Sequence, residues 1–226
     1  MKAVIKNKII LLVILFGIII QSYSCTKEEC EFGGSYVFIL PFELSPAQES
    51  YHVGDTITIK SIITNPIYER KTDKNYILND IKFYLSTLIY YMDTSIIDYS
   101  NIHFFDLIVD SNHSYSIYNF SNGKSWINGQ YNYSNNTYSL LFKLIPKKKG
   151  HFFISNGSDI NLQDSDQDFE GKCRNKSSDA KIYMNNRGDN NIHLVNECTN
   201  DYYKGYIEKK ETQYLDFGGY CFRVID

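Results

Sequence analysis

The octet Thr56-Ile57-Thr58-Ile59-Lys60-Ser61-Ile62-Ile63 constrains the fold most. Ile57, Ile59 and Ile63 fall on one side and Thr56, Thr58 and Lys60 on the other. A period of two is what a strand with one buried face requires. Similar runs recur at residues 36–40, where Pro41 is expected to stop the strand, and at 102–109, 115–120, 126–133, 138–145, 151–154 and 220–224. Val53-Gly54-Asp55, Asn122-Gly123, Asn128-Gly129, Asn135-Asn136 and the run from Pro146 to Gly150 read as turns between them. Residues 64–80 are polar and read as a loop. Residues 81–92 are ambiguous: Ile81, Phe83 and Leu85 alternate, while Leu85, Leu88, Ile89 and Met92 suit one helix face. Their Phe, Tyr and Ile content favours a strand. Twenty Tyr and 14 Phe against four Pro supply the rings a pleated core needs and exclude a disordered chain.

Short strands at regular spacing predict a mainly β fold, a sandwich or barrel. Residues 155–200 change character, being rich in Asp, Asn and Ser. Residues 199–210 suit a short helix capped by Thr199, with Tyr202, Tyr203, Tyr206 and Ile207 on one side. Gly218-Gly219 then leads into a closing strand. No linker or repeat divides the chain, so residues 35–226 are expected to form one β-rich domain with a loop-rich, Cys-containing C-terminal part.

The first residues read as an address. Lys2, Lys6 and Lys8 precede an apolar run over residues 9–20, followed by Gln21-Ser22-Tyr23-Ser24-Cys25. A basic start, a short apolar run and small residues at a cut site describe a secretory signal peptide, here residues 1–24. The run is shorter than the ~20 residues a membrane-spanning helix needs. Five cysteines are an odd count for an exported protein, and setting Cys25 aside leaves Cys30, Cys173, Cys198 and Cys221. Cys25 after the apolar run resembles the lipid-modified cysteine of bacterial lipoproteins, although Ser22 stands where that family usually has Leu. Lys27-Glu28-Glu29 is similar to the surface-export signal of Bacteroidetes lipoproteins. The resemblance implies a lipidated tether over residues 25–34 and the outer membrane, at the cell surface, as its location. Ser22-x-Ser24 keeps a second reading open, ordinary cleavage to a soluble periplasmic protein.

Two further resemblances concern the mature chain. A Pro, a Tyr and a Gly-Asp turn feeding the alternating octet (Pro46, Tyr51, Gly54, Asp55) resemble the early strands of bacterial immunoglobulin-like domains. The turn Ile145-Pro146-Lys147-Lys148 with Gly150, between two apolar runs, is similar to uncharacterised Bacteroidetes lipoproteins with such a core. They imply an immunoglobulin-like antiparallel β-sandwich and no assigned activity.

Chemistry is sparser. Four cysteines allow three disulfide pairings, of which Cys173–Cys198 is favoured; Cys30–Cys221 would then tie the first segment to the last strand, and four free structural thiols are the alternative. Asp164, Asp166, Asp168 and Glu170 alternate and resemble half of an EF-hand loop, but Phe169 stands where that loop needs Gly. A calcium site and a solvated acidic loop both remain open; no other cofactor is indicated. Gly123-Lys124-Ser125 lacks the earlier Gly of a phosphate loop, since Tyr118 stands there. His52, His103, His113, His151 and His193 show no zinc spacing, and no nucleophile elbow appears, so no catalytic residue is assigned. Lys147-Lys148-Lys149 reads as a solvated turn. Loss of the signal segment takes the net charge from −3 to −6, which disfavours nucleic acid. Aromatic residues crowd residues 115–138 among Asn and Ser, and Trp126, Tyr131 and Tyr133 are the candidate ligand rings.

Three functions follow as expectations. A non-enzymatic surface lipoprotein binds or scaffolds an extracellular partner; a glycan-binding component of an uptake system exposes coplanar rings around Trp126; a hydrolase shows a cleft with converging carboxylates or a His.

Overall fold

The computed structural model describes residues 31–94, 101–121, 125–162 and 165–226. Cys25, Lys27, Glu28, Glu29, Cys30, Asp164 and the Asn122-Gly123 turn lie outside the described residues. By internal contacts the chain divides into residues 1–31 with 171–175, and residues 32–170 with 176–226. The second unit holds every described strand.

The strands are β1 (Tyr36–Ser45), β2 (Ser50–His52), β3 (Ile57–Thr64), β4 (Ile67–Glu69), β5 (Lys74–Tyr76), β6 (Tyr84–Tyr91), β7 (Phe105–Val109) and β8 (Ser114–Asn119). They continue as β9 (Ser125–Gln130), β10 (Asn132–Ser134), β11 (Thr137–Pro146), β12 (Gly150–Asp159), β13 (Asn161–Leu162), β14 (Ser165–Asp166), β15 (Ser178–Met184) and β16 (Tyr220–Ile225). One sheet runs β8-β9-β6-β12-β15 to the first half of β1 and on through β4 to β5. In it β16 also pairs with β12, and β2 lies against β16. The other sheet runs from the second half of β1 through β3 to β11, with β10 and β7 along the far side of β11.

The two sheets share β1, and the chemistry of the handover is visible. Phe42 pairs with Met184 of β15, and the next residue, Glu43, pairs with Lys60 of β3. Pro41 has no N–H to leave unpaired there, and its carbonyl accepts from Ser61 Oγ at 2.7 Å. Leu44 N donates to Asn185 Oδ1 at 2.9 Å, so a side chain prolongs the ladder where β15 ends. Pro41 therefore does not stop the strand as the sequence suggests. It marks a change of partner.

The inner faces pack into one core. Leu85 and Ile89 of β6, Ile127 of β9, and Leu140, Phe142 and Leu144 of β11 are all buried. Phe105 of one sheet meets Phe152 of the other with ring centroids 4.9 Å apart. Tyr115 reaches across from β8, its ring 5.9 Å from that of Phe142 and its hydroxyl donating to Leu141 O at 2.7 Å. The fold is mainly β, an immunoglobulin-like sandwich of two facing sheets. Most pairings are antiparallel as expected, but β1–β15 and β2–β16 are parallel.

Three local expectations are corrected. Residues 64–80 carry the β4–β5 hairpin, with Ile67, Glu69 and Leu78 buried. Asn128-Gly129 lies within β9: a Cβ on Gly129 would sit 2.7 Å from the Tyr115 ring, so the glycine admits that ring rather than a turn. The short helix is capped by Asn200, whose side chain accepts from Tyr202 N, and not by Thr199. Within residues 81–92 the ambiguity resolves to a strand, Tyr84–Tyr91, with Leu85, Thr87 and Ile89 buried in alternation.

The C-terminal part forms short helical turns, among them Ile192–Asn196, Asp201–Lys204, Gly205–Glu208 and Lys210–Leu215. They cover one end of the outer face of the first sheet. Tyr90 and Phe153 are buried there with Leu194, Val195, Tyr203 and Tyr214.

Candidate functional site

Beyond that helical cover, strand register orders the outer face of the first sheet into rows. The row nearest the cover holds Tyr118, Trp126, Leu88 and Ser155 on β8, β9, β6 and β12. The next holds Ser116, Asn128, Ser86 and Gly157, and the last Ser114, Gln130 and Tyr84. Each residue lies here because side chains alternate across a strand: Leu85, Thr87 and Ile89 of β6 and Ser125, Ile127 and Gly129 of β9 are buried, and Tyr115 of β8 turns inward. Across these eleven positions there is no carboxylate and no basic group. Tyr118 is 54% exposed and Phe120, just beyond β8, 39%. The Phe120 ring is nearly parallel to that of Trp126, at 15° with centroids 6.1 Å apart, and Tyr118 is tilted at 53° and 5.9 Å. The indole N–H of Trp126 is buried and has no hydrogen-bond partner among the described residues. The arrangement offers aromatic faces at one end and hydroxyls and amides over the rest.

The three rings singled out from the sequence are not brought together. Trp126 lies on this face, but Tyr131 is a core residue, 4% exposed, with its ring edge-on to Phe42 and Phe83. Its odd position turns it inward, which corrects its assignment as a ligand ring. Tyr133 lies at the β10–β11 hairpin against Tyr138, at 4.5 Å. The polar members of the face were missed because Ser and Asn are common throughout the chain. The alternation of Ser114, Ser116 and Tyr118 with Tyr115 and Ile117 was the signal available.

The acidic run is organised by the residues between its carboxylates. Gln167 takes Lys82 N at 2.8 Å and donates to the carbonyls of Lys82 and Ile160. Phe169 packs edge-on against Tyr36, Phe38 and Tyr76. Asp166, Asp168 and Glu170 are consequently exposed. Among the described residues no group of three or more His, Cys, Asp or Glu is placed to hold a metal ion.

The favoured disulfide pairing is corrected. Cys198 and Cys221 are free buried thiols, so neither Cys173–Cys198 nor Cys30–Cys221 is formed. Cys173 is disulfide-bonded, to a partner outside the described residues. Sequence spacing measures the loop to be closed, whereas a bridge needs matching Cα and Cβ geometry. Cys198 Sγ instead contacts Val195 O at 3.1 Å within the buried cluster under the helical turns. Burial pushes the Cys198 thiol up and that of Cys221 to about 12, which keeps both protonated and unreactive.

His151 stands between two carboxylates. Its Nδ1 lies 2.9 Å from Asp93 Oδ1 and its Nε2 3.6 Å from Glu197 Oε2. Glu197 continues to Arg223, and Arg223 to Glu49 at 2.6 Å. The hydrogen bond to Asp93 raises the His151 pKa against the opposing effect of burial. With a carboxylate beside each ring nitrogen it ties β12 to the segment after β6 and to the helical turns. Lys147 pairs with Asp106 and Lys149 with Asp226, and the Lys148 ammonium lies over the Tyr91 and Phe104 rings. The triplet is thus committed within the fold rather than gathered as a polyanion site.

Two adjoining grooves of about 430 and 460 Å³ lie where β1 changes sheets and share Pro41, Ile62 and Asn186. The larger is lined mainly by apolar side chains, whereas the smaller is lined by the Lys60–Glu43 ion pair, Asn185 and Asn186 as much as by Pro41, Phe42 and Ile62. No described helix is long and apolar enough to cross a membrane.

No family model and no curated protein matches the chain. Among solved structures it is similar to a non-cellulosomal cohesin from the hyperthermophilic archaeon Archaeoglobus fulgidus, at 10% identity and a TM-score of 0.32, covering 85% of this chain and 93% of that one. It is also similar to the second type II cohesin module of the cellulosomal adaptor ScaA scaffoldin of Acetivibrio cellulolyticus, at 7% identity and a TM-score of 0.32, covering 63% and 92%. Likeness at this level assigns no ligand, and the sandwich rests on its own strand pairing.

Proposed function

We propose that this chain is a lipid-anchored, non-enzymatic binding protein of the cell exterior, and that it holds its ligand on the outer face of β8, β9, β6 and β12. The observation that carries the reading is that face: it is ordered by strand register, rimmed by exposed rings and nearly free of charge. Exposed rings on an edge strand are the places where a sandwich gains contact area with little rearrangement. The anchor rests on the sequence around Cys25 and the export signal on Lys27, Glu28 and Glu29. The disulfide at Cys173 supports an oxidising compartment.

The anchor is tested by the intact mass of membrane-fraction protein beside a Cys25→Ala variant, with protease shaving of whole cells. The expected protein starts at Cys25, carries acyl mass that the variant lacks, and is shaved from intact cells. A soluble, unacylated product would remove both the anchor and the surface location.

A further inference from the structure

We infer that the ligand of this face is an uncharged polysaccharide lying across the strands, its sugar rings stacked on Tyr118 and Trp126 and its hydroxyls bonded to Asn128 and the neighbouring serines. The inference rests on the proposed binding role of the face and names the ligand class. Three observations carry it. First, the face lacks the charges that recognise a charged ligand, so an acidic glycan, a nucleic acid or an ionised peptide would lose its hydration without a counter-charge. Second, the remaining groups are hydroxyls and amides, which both donate and accept, as sugar hydroxyls do. Third, Tyr118 and Phe120 expose ring surface beside Trp126, and the electron-rich face of a ring suits the polarised C–H groups of a pyranose.

The geometry fits an extended chain. Tyr118, Trp126 and Leu88 stand side by side on adjacent strands. Strands repeat every ~4.8 Å, so rows across the sheet present successive binding positions along a line. The row of Ser116, Asn128 and Ser86 runs parallel to the aromatic one, within reach of the hydroxyls of a ring seated on it. The helical cover over Tyr90 and Phe153 bounds the line on one side.

Trp126 is the single tryptophan of the chain, so its fluorescence reports on this face alone. The test uses the full chain purified in detergent. Its retention is measured on an insoluble mixed-linkage glucan, a xylan and a mannan, with polygalacturonate as the acidic and gelatin as the polypeptide comparison. Soluble forms are titrated against Trp126 emission. The expected result is retention by at least one neutral glycan, a saturable change in emission, and little dependence on salt. Tyr118→Ala should weaken that affinity about tenfold, the size of a lost ring contact. This ring is exposed at the sheet edge, so the variant is expected to keep the wild-type melting temperature; Asn128→Ala is the second probe. Binding only to gelatin, and sensitive to Tyr118→Ala, would overturn the glycan class while leaving the binding face. Binding of any probe that neither substitution alters, or no binding at all, would overturn both.

Discussion

Single residues carry several of the decisions in this molecule, and Glu69 is the clearest. It is fully buried, and its carboxylate accepts from Val37 N at 2.6 Å, Lys71 N at 2.8 Å, Thr72 N at 2.7 Å and Thr72 Oγ1 at 2.6 Å. Burial disfavours its charge, but these donors outweigh it and hold the group below the usual glutamate range. Glu69→Gln would turn an amide donor toward donors that need an acceptor, and is expected to cost about 2–3 kcal/mol in urea unfolding. Asp93 follows the same logic, with burial opposed and overcome by the ring and N–H of His151. Depressed carboxylates contribute stability above their unfolded pKa, and that stability is lost as pH falls through the folded values. The raised His151 contributes fully below its ordinary 6.5 and loses its contribution as pH rises through the folded value. The melting temperature is therefore expected to be highest between about pH 5 and 6.5. His151→Gln should flatten the alkaline limb and Glu69→Gln the acid limb of a calorimetric pH series; two unchanged limbs would contradict these assignments. The carboxylate at 69 was invisible as a core residue in the sequence, because a polar loop with one acid has no periodicity to betray burial.

Among the elements, the edge strand β8 is held by one ring. Tyr115 enters the core through the space left by Gly129, while its neighbours face outward. Gly129→Ala would press a Cβ to 2.7 Å from that ring and 3.2 Å from Leu140. A destabilisation of about 1–3 kcal/mol is expected, together with a shift of Trp126 emission as β8 loosens. An unchanged emission maximum would mean that Tyr115 does not position the edge. Gly218 plays a comparable part at the start of β16, with φ +52 and a would-be Cβ 2.4 Å from Ile182 Cγ2. Most strands were legible because their buried residues alternate, as in β3 and β11. The helical turns over residues 185–215 were only partly legible. Their contacts depend on the sheet beneath them, and Thr199 and Asn200 are adjacent residues that can both cap a helix.

The whole molecule is closed by contacts between distant parts of the chain. β16 lies between β12 and β2, and Asn156 ties β12 to the Phe217 and Gly218 carbonyls at 2.7 and 2.9 Å. At this scale the cysteines give a direct prediction. With Cys198 and Cys221 free, the bridge of Cys173 is expected to run to Cys30 if Cys25 carries lipid. Non-reducing peptide mapping should find Cys173 joined to the N-terminal peptide, and Cys198 and Cys221 should react with a thiol reagent only after unfolding. Fast labelling of either in the native protein would contradict their burial.

The sequence by itself determined the β class and most strand positions, and the alternation of side chains along strands such as β3 and β11, because the period of two is a local property of the backbone. The proposed export address is likewise read along the chain and needs no fold. Only the tertiary structure decided that β1 passes through Pro41 into a second sheet, which cysteines stay apart, that Tyr131 is core while Trp126 is not, and which scattered Ser and Asn residues share a face. Those outcomes depend on register and packing between segments far apart in sequence, and no local pattern encodes them.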